Sequence, residues 1–214
     1  MTFQWLGGDS VLISCKRRDV EDVVVITDPV GPFSPNLRSK KADIVLASFN
    51  QKESDLEDVV KGTTADESAV FITIPGEYER KNFFVTGVEG AGSTLYRLDS
   101  EDLSIAYLAG ATEMLSQEQL DAFSGAHVLM IPSGGEVNGK GLSIDTAADI
   151  VRAIDPSVVI ALRTTSSTHP SAKGPQALAK ALGVEVVAQE GSYKLTRSQI
   201  IEDAILQLVG FGSV

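Results

Sequence analysis

Short apolar runs rich in Val and Ile recur along the chain, at 23–26, 44–46, 70–74, 83–85, 105–108, 128–131 and 158–162. Their lengths and bounding turn residues predict strands buried on at least one face. Ser10-Val11-Leu12-Ile13-Ser14 is a further strand-like run. A helical period emerges in four places. At 116–123, Leu120 and Phe123 share a face, and Ser116 with Glu118 approximates a capping box one residue short. At 144–154, Ala147, Ile150, Val151 and Ile154 form one stripe behind Ser143. The segment 175–182 starts at Pro175 and stops at Gly183. A fourth helix is expected over 55–61, ended by Gly62.

Strands and hairpins come first, and helices and strands alternate afterwards, which predicts a layered α/β arrangement with mixed sheets. Exposed turns are expected at 19–22 and 61–67, and the Ser/Thr-rich stretch 163–174 reads as the longest loop.

Charge narrows the partners. The net charge of −11 disfavours a phosphate backbone, and the one basic cluster, Lys16-Arg17-Arg18, is followed at once by Asp19, Glu21 and Asp22. The expected partner is a small molecule or a protein, not a nucleic acid. The N-terminus lacks a basic segment followed by a long apolar one, and no apolar run approaches the ~20 residues of a membrane span. Cys15 is the single cysteine, set in a strand-like run, and reads as a passive thiol. The compartment expected from these features is the cytoplasm.

Several spaced segments resemble the small, single-domain branch of the metallo-β-lactamase superfamily. They are Phe3-Gln4-Trp5-Leu6-Gly7-Gly8-Asp9-Ser10-Val11-Leu12-Ile13, Val25-Ile26-Thr27-Asp28-Pro29, Lys41-Ala42-Asp43-Ile44-Val45-Leu46-Ala47-Ser48, the turn-like Pro75-Gly76-Glu77-Tyr78-Glu79, His127-Val128-Leu129-Met130-Ile131-Pro132-Ser133-Gly134-Gly135, and Asp155-Pro156-Ser157-Val158-Val159-Ile160. Their order spans most of the chain. The resemblance implies a four-layer αββα sandwich: one domain over 1–214, made of two similar halves at about 1–115 and 116–214. It also implies a metal at the edge where the sheets meet, activating water for hydrolysis.

The ligands that the family would supply are missing. Its Ser-His-x-His-x-Asp-His motif falls on Ser48 to Ser54, where Phe49, Gln51, Glu53 and Ser54 stand in the ligand positions. Ala111 replaces the bridging aspartate, Arg163 replaces the last histidine, and Glu89-Gly90-Ala91-Gly92 holds no histidine. Zinc needs imidazole, thiolate or carboxylate donors converging at about 2.0–2.3 Å, which Phe and Ser cannot provide. No metal, no other cofactor and no catalytic residue is therefore expected.

Three functions remain in view. The first is a non-catalytic binding or structural module. The second is a hydrolase of ester, lactone or phosphate bonds with relocated chemistry on Glu53, Asp9 or His169. The third is a small-anion binder centred on Arg163, with Thr164, Thr165 and Ser166 as hydroxyl donors. Arg163 paired with Glu53 in the vacated metal volume is the expected structural replacement, with Phe49 as an apolar plug. His127 heads a strand and His169 lies in the Ser/Thr loop, and neither has the spacing of a rebuilt site. Glu77 and Tyr78 read as structural. Ser133-Gly134-Gly135 forms neither a nucleophile elbow nor a complete phosphate loop.

Overall fold

The computed structural model describes residues 1–16, 21–30, 37, 40–49, 51–64, 67–100, 103–133, 141–162, 174–200 and 206–211. The first half contains strands β1 (Thr2–Gly7), β2 (Ser10–Cys15), β3 (Val23–Thr27), β4 (Lys40–Ala42) and β5 (Ile44–Leu46), then helix α1 (Glu53–Glu57) and strands β6 (Val60–Gly62) and β7 (Val70–Ile72). A meander follows: β8 (Gly76–Arg80), β9 (Phe83–Glu89), β10 (Thr94–Asp99) and β11 (Ser104–Tyr107). The chain continues through α2 (Gln117–Phe123), β12 (Val128–Pro132), α3 (Ile144–Ile154), β13 (Val158–Leu162) and α4 (Gly174–Leu182). It ends with β14 (Val186–Gln189), β15 (Ser192–Lys194), a 3₁₀ turn over Arg197–Gln199, and β16 (Gln207–Phe211).

Two large mixed sheets result, ordered β15-β1-β2-β3-β5-β7 and β14-β16-β13-β12-β11-β10-β9-β8, with a small β4–β6 pair beside the first. Their inner faces interdigitate in one core, where Phe3, Ile13, Val25 and Leu46 of the first sheet meet Phe83, Tyr96, Tyr107 and Met130 of the second. Helices α2–α4 cover the outer face of the second sheet with Phe123, Ile150, Val151 and Leu178. The outer face of the first sheet is covered by Leu56 of α1 and by Ala42 and Val60 of the small strand pair. The C-terminal chain crosses between sheets: β15 extends the first, while β14 and β16 extend the second.

The parallel strands β3, β5 and β7 of one sheet, and β11, β12, β13 and β16 of the other, place their carboxyl ends along one edge of the sandwich. Loops carrying chemistry gather at such an edge in open α/β sheets.

Sequence and structure differ locally. The helix expected at 55–61 is Glu53–Glu57, because Glu53 and Asp55 suit a helix N-terminus while β-branched Val60 pairs with Lys40 in a strand. That strand also occupies the beginning of the turn expected at 61–67. The run 70–74 stops at Ile72, leaving Ile74 63% exposed ahead of Pro75. Gly76 to Arg80 forms an edge strand, so the turn-like reading of that segment holds only for its entry. The α2 capping box closes with Gln119, not Glu118: Ser116 Oγ accepts the Gln119 N–H and Gln119 Oε1 accepts the Ser116 N–H.

Candidate functional site

The site edge is organised by Asp28. The apolar strand β3 delivers this residue at its end, 3% exposed, and its left-handed backbone (φ 38°) turns the chain into Pro29. Its N–H donates to the Leu46 carbonyl at 2.8 Å, and one carboxylate oxygen accepts the Ser48 N–H at 2.7 Å. Asp28 thus fixes the exit of β5, where the metal motif would begin. Its other oxygen accepts the Tyr107 hydroxyl at 2.5 Å, and the Asp9 carbonyl lies 2.9 Å from the same hydroxyl. Burial, with the nearby charges of Asp28 and Asp9, pushes the Tyr107 phenol well above its usual range, so it acts as a neutral donor.

The two sheets are stitched at neighbouring points. Tyr96 donates toward the Ala47 carbonyl at 2.7 Å and the Ile72 carbonyl at 3.0 Å, and the Thr94 N–H donates to the Ser48 carbonyl at 2.7 Å. The turn after β9 closes onto the exit of β11, where Ser93 Oγ donates to the Gly110 carbonyl at 2.8 Å. A Cβ on Gly110 would lie 2.7 Å from the Ser93 Cβ, so the approach requires glycine.

The ligand-position residues scatter around this edge. Phe49 follows β5 and is half-buried. Gln51 donates through Nε2 to the Val30 carbonyl, while its Oε1 is buried without a hydrogen bond. Glu53 and Ser54 form the exposed first turn of α1. Glu53 is therefore not the buried carboxylate expected to pair with Arg163. Ala111 is 4% exposed, packs on the helix-side core and donates its N–H to the Leu108 carbonyl at 3.0 Å. Arg163, Thr164, Thr165, Ser166 and His169 lie outside the described residues. Glu53 is exposed and Asp9 is 2% exposed, so these two candidates for relocated hydrolysis are not presented alike to a substrate.

Other nucleophile candidates are committed to structure. Ser133 is fully buried, and its hydroxyl donates to the Leu162 carbonyl at 2.8 Å. Cys15 is buried in the inter-sheet core. His127 stands beside Ser104, which pairs across strands with Asp99, but its Nδ1 accepts the Ser104 backbone N–H at 3.1 Å. A serine triad needs Nδ1–H held by a carboxylate, so this trio is not one.

Sequence reasoning quoted Asp28 and Asp43 only as parts of motifs and left Tyr96 and Tyr107 unremarked. The available signal was an acid directly following or preceding an apolar strand, since a buried carboxylate at a strand end must find donors.

A family model for the beta-lactamase superfamily domain matches residues 2–163. The chain belongs to that superfamily. A protein from Thermotoga maritima, described as a Zn-dependent hydrolase of the metallo-beta-lactamase superfamily, superposes with a TM-score of 0.76 at 18% identity, covering 98% of each chain. A metal-dependent hydrolase from Parabacteroides distasonis gives 0.60 at 13% identity, covering 86% of this chain and 90% of its own. Igni18, a metallo hydrolase from Ignicoccus hospitalis, gives 0.60 at 13% identity, covering 91% and 99%. At these identities the likeness concerns the fold. No curated protein matches the chain.

The family implies a metal, and the described residues at the family's ligand positions, Phe49, Gln51, Glu53, Ser54 and Ala111, include one carboxylate and no imidazole or thiolate. Among the described residues, no three His, Cys, Asp or Glu side chains come together in a metal-holding group. The buried carboxylate of Asp28 at this edge is engaged by Ser48 and Tyr107.

Proposed function

We propose that this chain is a metallo-β-lactamase-fold protein that has lost its metal site and serves as a non-catalytic binding or structural module. The observation that carries this reading is the placement of the first motif: Phe49 is half-buried, Glu53 and Ser54 are solvent-exposed on α1, and Gln51 is tied to the Val30 carbonyl. Of these four positions, two lie in the loop after β5 and two on the exposed first turn of α1, and Glu53 alone carries a charged donor. Among the described residues, no group of three His, Cys, Asp or Glu side chains is available to hold an ion that would activate water.

The partner in this reading is a small molecule or a protein, since a net charge of −11 opposes nucleic acid. No helix among the described residues is long and apolar enough to cross a membrane. A cytoplasmic location belongs to the same proposal, supported by a single cysteine that has no second thiol in the chain to pair with.

The test is metal analysis of protein purified without chelator, combined with hydrolysis assays on lactone, β-lactam and phosphodiester substrates. The reading expects substoichiometric transition metal and rates that added Zn²⁺ leaves unchanged. Metal-dependent turnover at one bound ion per chain would overturn it.

A further inference from the structure

At the edge opposite the former metal site, the starts of β11 and β12 are joined by a reciprocal clamp. The His127 N–H donates to the Ser104 carbonyl at 2.9 Å, and the Ser104 N–H donates to His127 Nδ1 at 3.1 Å. The second bond requires a lone pair on Nδ1, so the neutral imidazole carries its proton on Nε2. Ser104 is 6% exposed, and its hydroxyl is buried with no hydrogen-bond partner among the described residues.

The same place anchors the end of α2. Arg97 donates to the Ala122 carbonyl at 3.1 Å and the Ser124 carbonyl at 2.7 Å, three residues ahead of His127. Its Nε is paired with Asp99 at 2.9 Å. At the far end of α2, Gln119 Nε2 holds the Glu89 carbonyl at 2.7 Å, beside the turn that closes on Gly110. One short helix thus spans from the clamp to the site edge.

We propose that His127 is an acid-sensitive joint between α2 and β12: protonating Nδ1 turns an acceptor into a donor, breaks the bond to the Ser104 N–H and loosens the connection that Arg97 and the clamp hold together. The charges facing the ring among the described residues are Arg197 from the 3₁₀ turn and Arg97 and Asp99 from β10. Burial, then Arg197 and Arg97, hold the imidazole below its usual pKa, with Asp99 opposing. A depressed histidine pKa means that the stabilisation is complete above the unfolded value of about 6.5 and is lost as pH falls through the folded value.

The experiment compares the thermal midpoints of the wild-type chain and His127→Asn between about pH 7.5 and 5, since Asn Oδ1 can accept the Ser104 N–H without titrating. His169 is present in both and cancels. The wild-type midpoint should fall with acid by several degrees more than the variant's, and parallel curves overturn the proposal. NMR of the wild-type chain gives an independent reading should the variant fail to fold. The His127 ring should titrate below the ordinary value, and the Ser104 amide should lose exchange protection with it. A ring pKa at or above the ordinary value, or an amide protected throughout the titration, refutes the joint.

Discussion

The Tyr107 hydroxyl and the Asp28 carboxylate meet at 2.5 Å across the sandwich, one from the second sheet and the other from the end of β3 in the first. Both are buried, and Asp28 also holds the Ser48 N–H, so this contact braces the edge where the family keeps its metal. A charge-assisted bond in a dry setting is stronger than a neutral one. Tyr107→Phe should therefore destabilise the fold by about 1.5–3 kcal/mol, read from urea unfolding with an unchanged slope. Tyr96→Phe, which removes a neutral donor to Ala47 and Ile72, should cost less.

The hairpin between β8 and β9 turns through Lys81 and Asn82, both left-handed at φ 54°. Such paired positive φ values normally go to Asn-Gly or Gly-Gly. Here Asn82 donates its N–H to Glu79, and the Lys81 ammonium reaches Asp43 and Glu21, each at 3.1 Å. Asp43, 2% exposed, also accepts the Val24 N–H and the Thr63 hydroxyl, which makes it a hub for three segments. Asp43→Ala should destabilise by about 1–3 kcal/mol in the same unfolding assay, because those donors lose their acceptor.

The same hub sets a pH window. Burial alone would raise the Asp43 pKa, but Thr63, Val24 and Lys81 outweigh it and hold the carboxyl below 3.8. Lys81 is raised above 10.5 by Asp43, against burial and with help from Glu21. A depressed carboxylate stabilises above its unfolded pKa and fails as pH drops through the folded one; a raised lysine fails as pH climbs through its folded value. The hub should thus contribute fully from about pH 4 to 10. Stability curves of wild type and Asp43→Asn should converge only below that window on the acid side.

Gly110→Ala should destabilise by about 1–3 kcal/mol, since the new methyl would sit 2.7 Å from the Ser93 Cβ. Removing the obstacle with Ser93→Gly in the same chain should recover part of the loss, as a double-mutant cycle would show. Purely additive losses would show that the Ser93–Gly110 contact does not govern this turn.

The layered architecture was legible because strand runs such as 44–46 and 158–162 are continuously apolar, and the Ile144–Ile154 stripe is periodic with a Ser143 cap. The weaker strands escaped for a physical reason. Thr94–Asp99 and Gly76–Arg80 carry charged residues within their span, and Gln207–Phe211 contains a glycine, so their pairing comes from neighbours and not from pattern. At the site, the sequence showed which residues stand at the positions that the resemblance assigns to ligands, since that is a matter of residue identity. It could not show that Glu53 would face solvent, or that Asp28 and Tyr107, 79 positions apart, would hold the edge together.

The central claim, loss of the metal site, is tested most directly by elemental analysis of the full chain purified without chelator and then dialysed against Zn²⁺. The account predicts well below one transition-metal ion per chain and no rise in thermal midpoint on adding Zn²⁺, since nothing binds the folded state preferentially. One tightly held ion per chain, with a midpoint that rises with Zn²⁺ and falls with chelator, would contradict it.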